Sequence, residues 1–139
     1  MKQYDKDLLL RDLCARLPYG VKIELTNNGY HHENIAKRGD KTIDTLKGFT
    51  GKYFTIHHDN PLDWYWADNE IEVEDIKPYL FPLSSMTEEQ YKEYWELEHS
   101  GDMEHLSIPA LDWLNKNHFD YRGLIEKGLA IDATGLNIY

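Results

Sequence analysis

Cysteine is nearly absent: Cys14 is the one thiol in 139 residues. A lone cysteine excludes an intramolecular disulfide and any multi-cysteine metal centre, and it suits a reducing compartment. Leu10 and Leu17 lie at helical spacing from Cys14, which reads as a core residue and not as a nucleophile. Long hydrophobic runs are missing as well. Nothing approaches the roughly 20 apolar residues of a membrane span, and the polar residues before the short run Leu8 to Leu10 do not make a signal peptide. A soluble, cytoplasmic protein with no membrane partner is expected. Glycine-rich phosphate loops are lacking too, because Gly48 and Gly51 do not complete Gly-x-Gly-x-x-Gly and no Gly-Lys-Ser/Thr occurs. Neither a nucleotide nor any other cofactor is implied.

Positive charge is scarce in the middle of the chain. Residues 1–58 hold ten Lys/Arg and seven Asp/Glu, residues 59–104 hold two and fourteen, and residues 105–139 hold three and four, for the overall net charge of −10. The −12 in the middle third repels nucleic acid and anionic membrane, disfavours direct DNA binding, and favours basic partners or none. What is plentiful is aromatic: 18 residues, within a hydrophobic fraction of 41%, set the chain apart from a disordered one. Its length fits one domain, 1–139, made of a helix-plus-strand part to residue 83 and a helical part from residue 84.

The junction of these two parts is 70–86. Ile71 and Val73 alternate with Glu70, Glu72 and Glu74, the period of a half-buried strand. Pro78 and Pro82 then hold Lys77 to Leu83 extended, at an edge or crossing the core, with Tyr79, Phe81 and Leu83 on one side. Thr87 with Gln90 is a capping-box pattern, and Met86 with Tyr91 fits the hydrophobic staple of a helix running to Glu98. Upstream, Asp5 to Leu17 carries a helical stripe of Leu9, Leu10, Leu13, Cys14 and Leu17, with Arg11, Asp12 and Arg16 mainly outside it. Val21, Ile23 and Leu25 mark a strand. Thr26 to Lys41 reads as a long loop, and Thr42 to Phe49 and Lys52 to His58 as a hairpin around Thr50-Gly51, with Phe54, Ile56 and His58 on one face. Leu62, Trp64 and Trp66 alternate in a further strand. Downstream, Ser107 caps a helix with Pro109 in its first turn and Ala110, Leu111 and Leu114 inward. Asp120 caps a last short helix ending at Lys127-Gly128, followed by an edge strand at Leu129 to Ile131. The expected fold is α+β: a small SH3-like antiparallel barrel or bent sheet over residues 20–83, with an N-terminal helix and packed C-terminal helices.

No residue set reaches the specificity of a catalytic motif. The pairs His31-His32 and His57-His58, with Asp59, suggest a metal, yet neighbours on a strand point to opposite faces, so each pair offers one ligand to one site. Ser84 and Ser85 lack the Gly-x-Ser-x-Gly elbow of a hydrolase nucleophile. Glu70, Glu72 and Glu74 read as a solvated face in preference to an acid/base cluster. The most suggestive group is Trp64-Tyr65-Trp66, which with Tyr79 and Phe81 forms either core or a groove for a peptide or planar ligand, Tyr65 being the better exposed contact. Glu89, Glu93 and Glu96 share a helix face and stand as a second candidate contact surface.

Two segments, 76–89 (IKPYLFPLSSMTEE) and 112–130 (DWLNKNHFDYRGLIEKGLA), resemble a family of small, uncharacterised proteins encoded by phages and prophages of Bacteroides-type gut bacteria. In residues 1–60 the similarity is one of layout only. The resemblance implies a phage context and an intracellular protein, and it carries over no activity and no site residues. Three functions follow as expectations: a non-enzymatic binding or adaptor module acting on a host or phage protein; an acidic decoy that imitates nucleic acid in the groove of a host defence or transcription protein; and a small-molecule binder or enzyme using an aromatic pocket.

Overall fold

The structure, a computed structural model, describes residues 1–26, 43–58, 71–99 and 108–139. The expected loop at 26–41, the Trp64 to Trp66 strand, His31-His32, Asp59, Glu70 and Ser107 lie wholly or almost wholly outside them. Helix α1 (Gln3–Arg16) tightens into a 3-10 turn at Leu17–Tyr19, where Pro18 prevents its continuation. Gly20, at φ 64, then reverses the chain in a left-handed conformation that costs glycine little. Strand β1 (Lys22–Leu25) buries Ile23 and Leu25 and leaves Lys22 and Glu24 half-buried, the expected alternation. The hairpin is also present, as β2 (Asp44–Phe49) and β3 (Phe54–His58). Its turn is held by the Thr50 hydroxyl, which accepts from the amides of Lys52 and Tyr53. Between Leu46 and Gly48 the pairing slips by one residue, and a Cβ on Gly48 would lie 3.0 Å from Thr55 Oγ1. Glycine at this bulge lets β3 approach while the strand bends.

Residues 71–75 do not form the expected strand. Ile71 makes a single antiparallel bridge to Phe54, and Val73–Asp75 is a 3-10 turn. The ladder with β1 reaches back only to Asp75, whose carbonyl accepts from Thr26 N, so the glutamate run gains no neighbouring strand there. Strand β4 (Ile76–Pro82) follows, extended as the prolines required. It lies at the centre of the sheet, not at an edge. The order is β3-β2-β1-β4-β5, with β5 at Phe119–Asp120 and β6 (Ile131–Asp132) also pairing with β4.

Pairings among β1 to β4 are antiparallel, whereas β5 and β6 run parallel to β4. The described sheet is therefore mixed and open, not a closed antiparallel barrel, within an α+β fold. Residues 84–139 are not only helical: after α2 (Glu88–Glu98) and α3 (Ile108–Lys116) they return two short strands to β4. Two-residue strands leave almost no period to read in a sequence. No helix among the described residues is long and apolar enough to cross a membrane.

Prolines are tolerated in β4 because successive residues turn their backbone groups to opposite edges. Asp75 and Phe81 use one edge, bonding Thr26 and His118, while Leu80 uses the other, accepting from Ala133 N. By the same alternation Pro78 and Pro82 turn their missing donors to the Leu80 edge, where β6 covers only Tyr79 and Leu80.

Side chains of β4 also divide between two cores. Ile76 and Leu80 join α1, β1, β2 and β3 in a cluster with Leu9, Leu13, Ile23, Leu46, Phe54 and Leu124, and each such buried side chain contributes about 1.5–3 kcal/mol. Phe81 belongs to a second cluster, with Trp113, Leu114 and Phe119 beneath α2 and α3.

The ladder between β1 and β4 contains an inserted side chain. Tyr139 Oη accepts from Lys22 N at 2.9 Å and donates to Tyr79 O at 2.7 Å, spanning a position where the two strands have separated. Burial of that hydroxyl pushes its pKa above the ordinary tyrosine range. Tyr139→Phe is expected to cost about 1–3 kcal/mol by leaving both backbone groups without this partner. A urea midpoint equal to that of the parent protein would show that the bridge contributes nothing.

Candidate functional site

The site begins with two charges that the helical pattern placed mainly outside the core stripe. Asp12 and Arg16 are instead fully buried, one turn apart on α1. Arg16 donates from Nε to Asp12 Oδ2 at 2.8 Å and from Nη2 to Asp12 Oδ1 at 3.1 Å, and Nη2 also reaches Phe119 O at 2.7 Å. Arg122 adds a second guanidinium, its Nε 3.3 Å from Asp12 Oδ1. Both arginines lie over the Tyr121 ring, whose hydroxyl donates to Asn115 Oδ1 at 2.8 Å. A buried guanidinium persists only when a carboxylate and further acceptors replace its water. A helical wheel cannot anticipate this burial, because the acceptor on β5 is 103 residues away in sequence.

Behind β5, Asp120 accepts from the amides of Arg122, Leu124 and Ile125. It caps as expected, but it organises a series of turns and not a regular helix. Gly128, at φ 73, closes them. Together these contacts fix Phe119 and, just before it, His118.

His118 is the residue that sequence reasoning missed. It follows α3 at φ 62, a left-handed position usually filled by Gly or Asn and adopted by His more readily than by most other residues. Its carbonyl accepts from Phe81 N at 2.8 Å. The ring stacks on Tyr139 with centroids 3.7 Å apart and planes 13° from parallel. Nδ1 is buried with no hydrogen-bond partner among the described residues. Burial first, and then the charges of Arg16 and Lys22, hold its pKa down at about 4, so the imidazole is neutral at neutral pH. The available signal was the absence of glycine after Lys116-Asn117, where a helix ends before Phe119.

His118 lines a cleft of about 430 Å³ with Phe81, Phe119, Tyr139, Gln90 and Lys116 among its walls. Ser85, Asn117, Thr134 and Gly135 complete it. Its polar side chains among the described residues are amides, hydroxyls, the His118 imidazole and one ammonium, with no carboxylate among them. Several are already oriented: Ser85 Oγ donates to Pro82 O at 2.6 Å, Gln90 Oε1 accepts from Thr87 N at 2.9 Å, and Asn117 Nδ2 donates to Trp113 O at 2.9 Å.

A second feature is the outer face of α2, held by the expected capping box between Thr87 and Gln90. Tyr94 and Leu97 face the second core, Tyr94 lying 5.9 Å from Trp113 between ring centroids. Met86 packs on that core as well, while Tyr91, its expected staple partner, is 58% exposed. Trp95 is 48% exposed and stacks on His99 at 4.1 Å. The helix has no fully buried residue, and five of its eleven are glutamate.

Of the residues singled out in the sequence, Glu89, Glu93 and Glu96 are exposed together on one flank of α2. Tyr79 is not a groove wall: it is 3% exposed, and burial followed by the charges of Glu24 and Asp44 pushes its pKa up to about 12. Its carbonyl accepts from Tyr139 Oη, on the strand edge that faces β1. Trp64, Tyr65 and Trp66 lie outside the described residues. Glu72 precedes the 3-10 turn and Glu74 lies on it, neither on a strand face; hydrogen bonding to the Glu74 carboxylate raises the Glu72 pKa, and the Lys6 ammonium lowers that of Glu74. Cys14 packs against the first core, and burial raises its thiol pKa, the opposite of nucleophile activation. No cluster of three potential metal ligands occurs among the described residues. Comparison of the chain with protein-family models, with curated proteins and with solved structures finds no match in any of the three.

Asp12→Ala should cost about 3–5 kcal/mol by stranding the Arg16 charge, and the double change Asp12→Leu with Arg16→Met should recover most of it. Equal losses in the two proteins by urea denaturation would contradict the ion-pair account. For His118 the sign follows from its depressed pKa: between about pH 6.5 and 4 the unfolded chain binds the extra proton, so stability falls as the pH falls. The expected loss is up to ~3 kcal/mol over that interval. In His118→Gln the fall between pH 6.5 and 4.5 should be shallower than in the parent; identical slopes would assign the effect to carboxylates instead.

Proposed function

We propose that this protein is a non-enzymatic binding module of phage origin, working in the cytoplasm of the bacterial host, that docks a basic host or phage protein on the outer face of α2. One observation carries the reading: Tyr91 and Trp95 stand in solvent at successive turns of a helix with five glutamates and one lysine. Around the helix axis Glu89, Glu93 and Glu96 take one flank and Tyr91 and Trp95 the other, with Glu88, Lys92 and His99 between them. An arginine-bearing segment fits such a surface, because its guanidinium stacks on an exposed ring while it pairs with a neighbouring carboxylate. Complementary charge supplies steering, and the desolvated aromatic rings supply most of the affinity.

The decoy reading uses the same glutamates without the rings. It asks only for negative charge shaped to fill a basic groove, so its affinity is screened electrostatics.

The test is capture from a Bacteroides lysate on three immobilised forms: the parent, Trp95→Ala, and the triple reversal Glu89→Lys, Glu93→Lys, Glu96→Lys. The docking reading expects one basic protein retained by the parent and lost from both variants. Retention by Trp95→Ala, with release from the parent at modest salt, would replace it with the decoy. Capture that survives both variants, or no captured protein, would overturn α2 as the interface.

A further inference from the structure

We propose that the cleft between Gln90, Lys116, His118 and Tyr139 is a binding site for a small aromatic molecule bearing a single carboxylate. This site is separate from the α2 docking face and does not depend on it. Four rings, those of Phe81, Phe119, His118 and Tyr139, line a space of about 430 Å³, which lies in the range of pockets that enclose small ligands. Their mutual geometry is already set: Phe81 is 6.1 Å from Phe119 and 5.7 Å from Tyr139, centroid to centroid, and His118 lies flat on Tyr139. Rigid aromatic walls favour a planar guest that can stack or meet them edge-on.

The charge preference comes from what the walls omit. None of the described Asp/Glu residues lines the cleft, while Lys116 does. Lys116 is exposed at the end of α3 and makes no ion pair with the described residues. Behind the wall, Arg16 and Lys22 add positive potential at His118, the same field that opposes protonation of its ring. Among the described residues of the lining a cationic guest would meet no carboxylate, and an anionic one meets Lys116 at the rim with the side-chain amides of Gln90 and Asn117 beside it.

The backbone supports a built site. His118 is held at φ 62 between a helix and a strand, a conformation that histidine adopts more readily than most residues, and the bond from Phe81 N to its carbonyl fixes it there. Its side chain forms the wall of the cleft.

The test uses three isosteric probes, benzoate, benzamide and benzamidine, titrated into the 15N-labelled full chain and followed by amide chemical shifts. Benzoate should give saturable shifts at the His118 and Gly135 amides and at the Gln90 and Asn117 side-chain amides; benzamide should bind more weakly, and benzamidine should give none at those positions. Lys116→Gln, at an exposed position that leaves the core intact, should weaken benzoate about two- to fivefold, the worth of one partly exposed ion pair, and leave benzamide unchanged. Equal affinities for benzoate and benzamide, an unaltered response in Lys116→Gln, shifts centred elsewhere, or no saturable shift with benzoate would each overturn the assignment.

Discussion

The burial of Arg16 is the constraint on which the other features of this fold depend. A fully desolvated guanidinium must find its acceptors inside the protein, and here they come from three places: Asp12 on the same helix, the Phe119 carbonyl on β5, and the face of Tyr121. Asp12 belongs to α1 itself and Phe119 and Tyr121 to the C-terminal third, so satisfying one charge draws the two together. A hydrophobic contact would tolerate sliding; a bidentate ion pair with a third bond to a backbone oxygen does not. The position of β5 follows, and with it the direction in which His118 and Tyr139 meet.

Strand β4 distributes that constraint through the molecule. Its antiparallel pairing with β1 carries the N-terminal core, and its parallel pairing with β5 and β6 carries the C-terminal one. Successive residues Leu80 and Phe81 serve opposite faces, so a single strand lies between both clusters. The prolines that flank its centre limit pairing on one edge to the short β6 segment. The sheet therefore remains open there, and Tyr139 enters the ladder with β1 as a side chain where a backbone bond would otherwise lie.

Both proposed surfaces adjoin the second core. α2 presents glutamates and two solvent-facing rings outward because only Tyr94 and Leu97 are needed to hold it against Trp113 and its neighbours. The cleft arises where the end of α3, the turn after β4 and the C-terminal tail converge without enough side-chain volume to close the space. A strongly acidic helix and a cleft with no carboxylate among its described lining residues thus lie close together, and the proposals for them call for opposite charges: a basic protein on one, a small anion in the other.

Local rules written in the residues determined α1, the β2–β3 hairpin, the extended course of β4 and the capped start of α2, because spacing, proline, glycine and the Thr87–Gln90 pair act within a few positions of one another. Composition likewise determined the acidic outer face of α2. Tertiary structure alone decided that Asp12 and Arg16 lie inside, that Ile71 to Asp75 turns where a strand was expected, that Tyr79 is covered, and that β5 and the late strand expected near Leu129 to Ile131, found as β6, pair in parallel with β4. It also decided the cleft, whose walls come from residues up to 58 positions apart, from Phe81 to Tyr139. The reason is the range of the forces involved: periodicity and capping report on neighbours along the chain, whereas the burial of a charge or the left-handed twist at His118 is settled by partners that folding brings from far away.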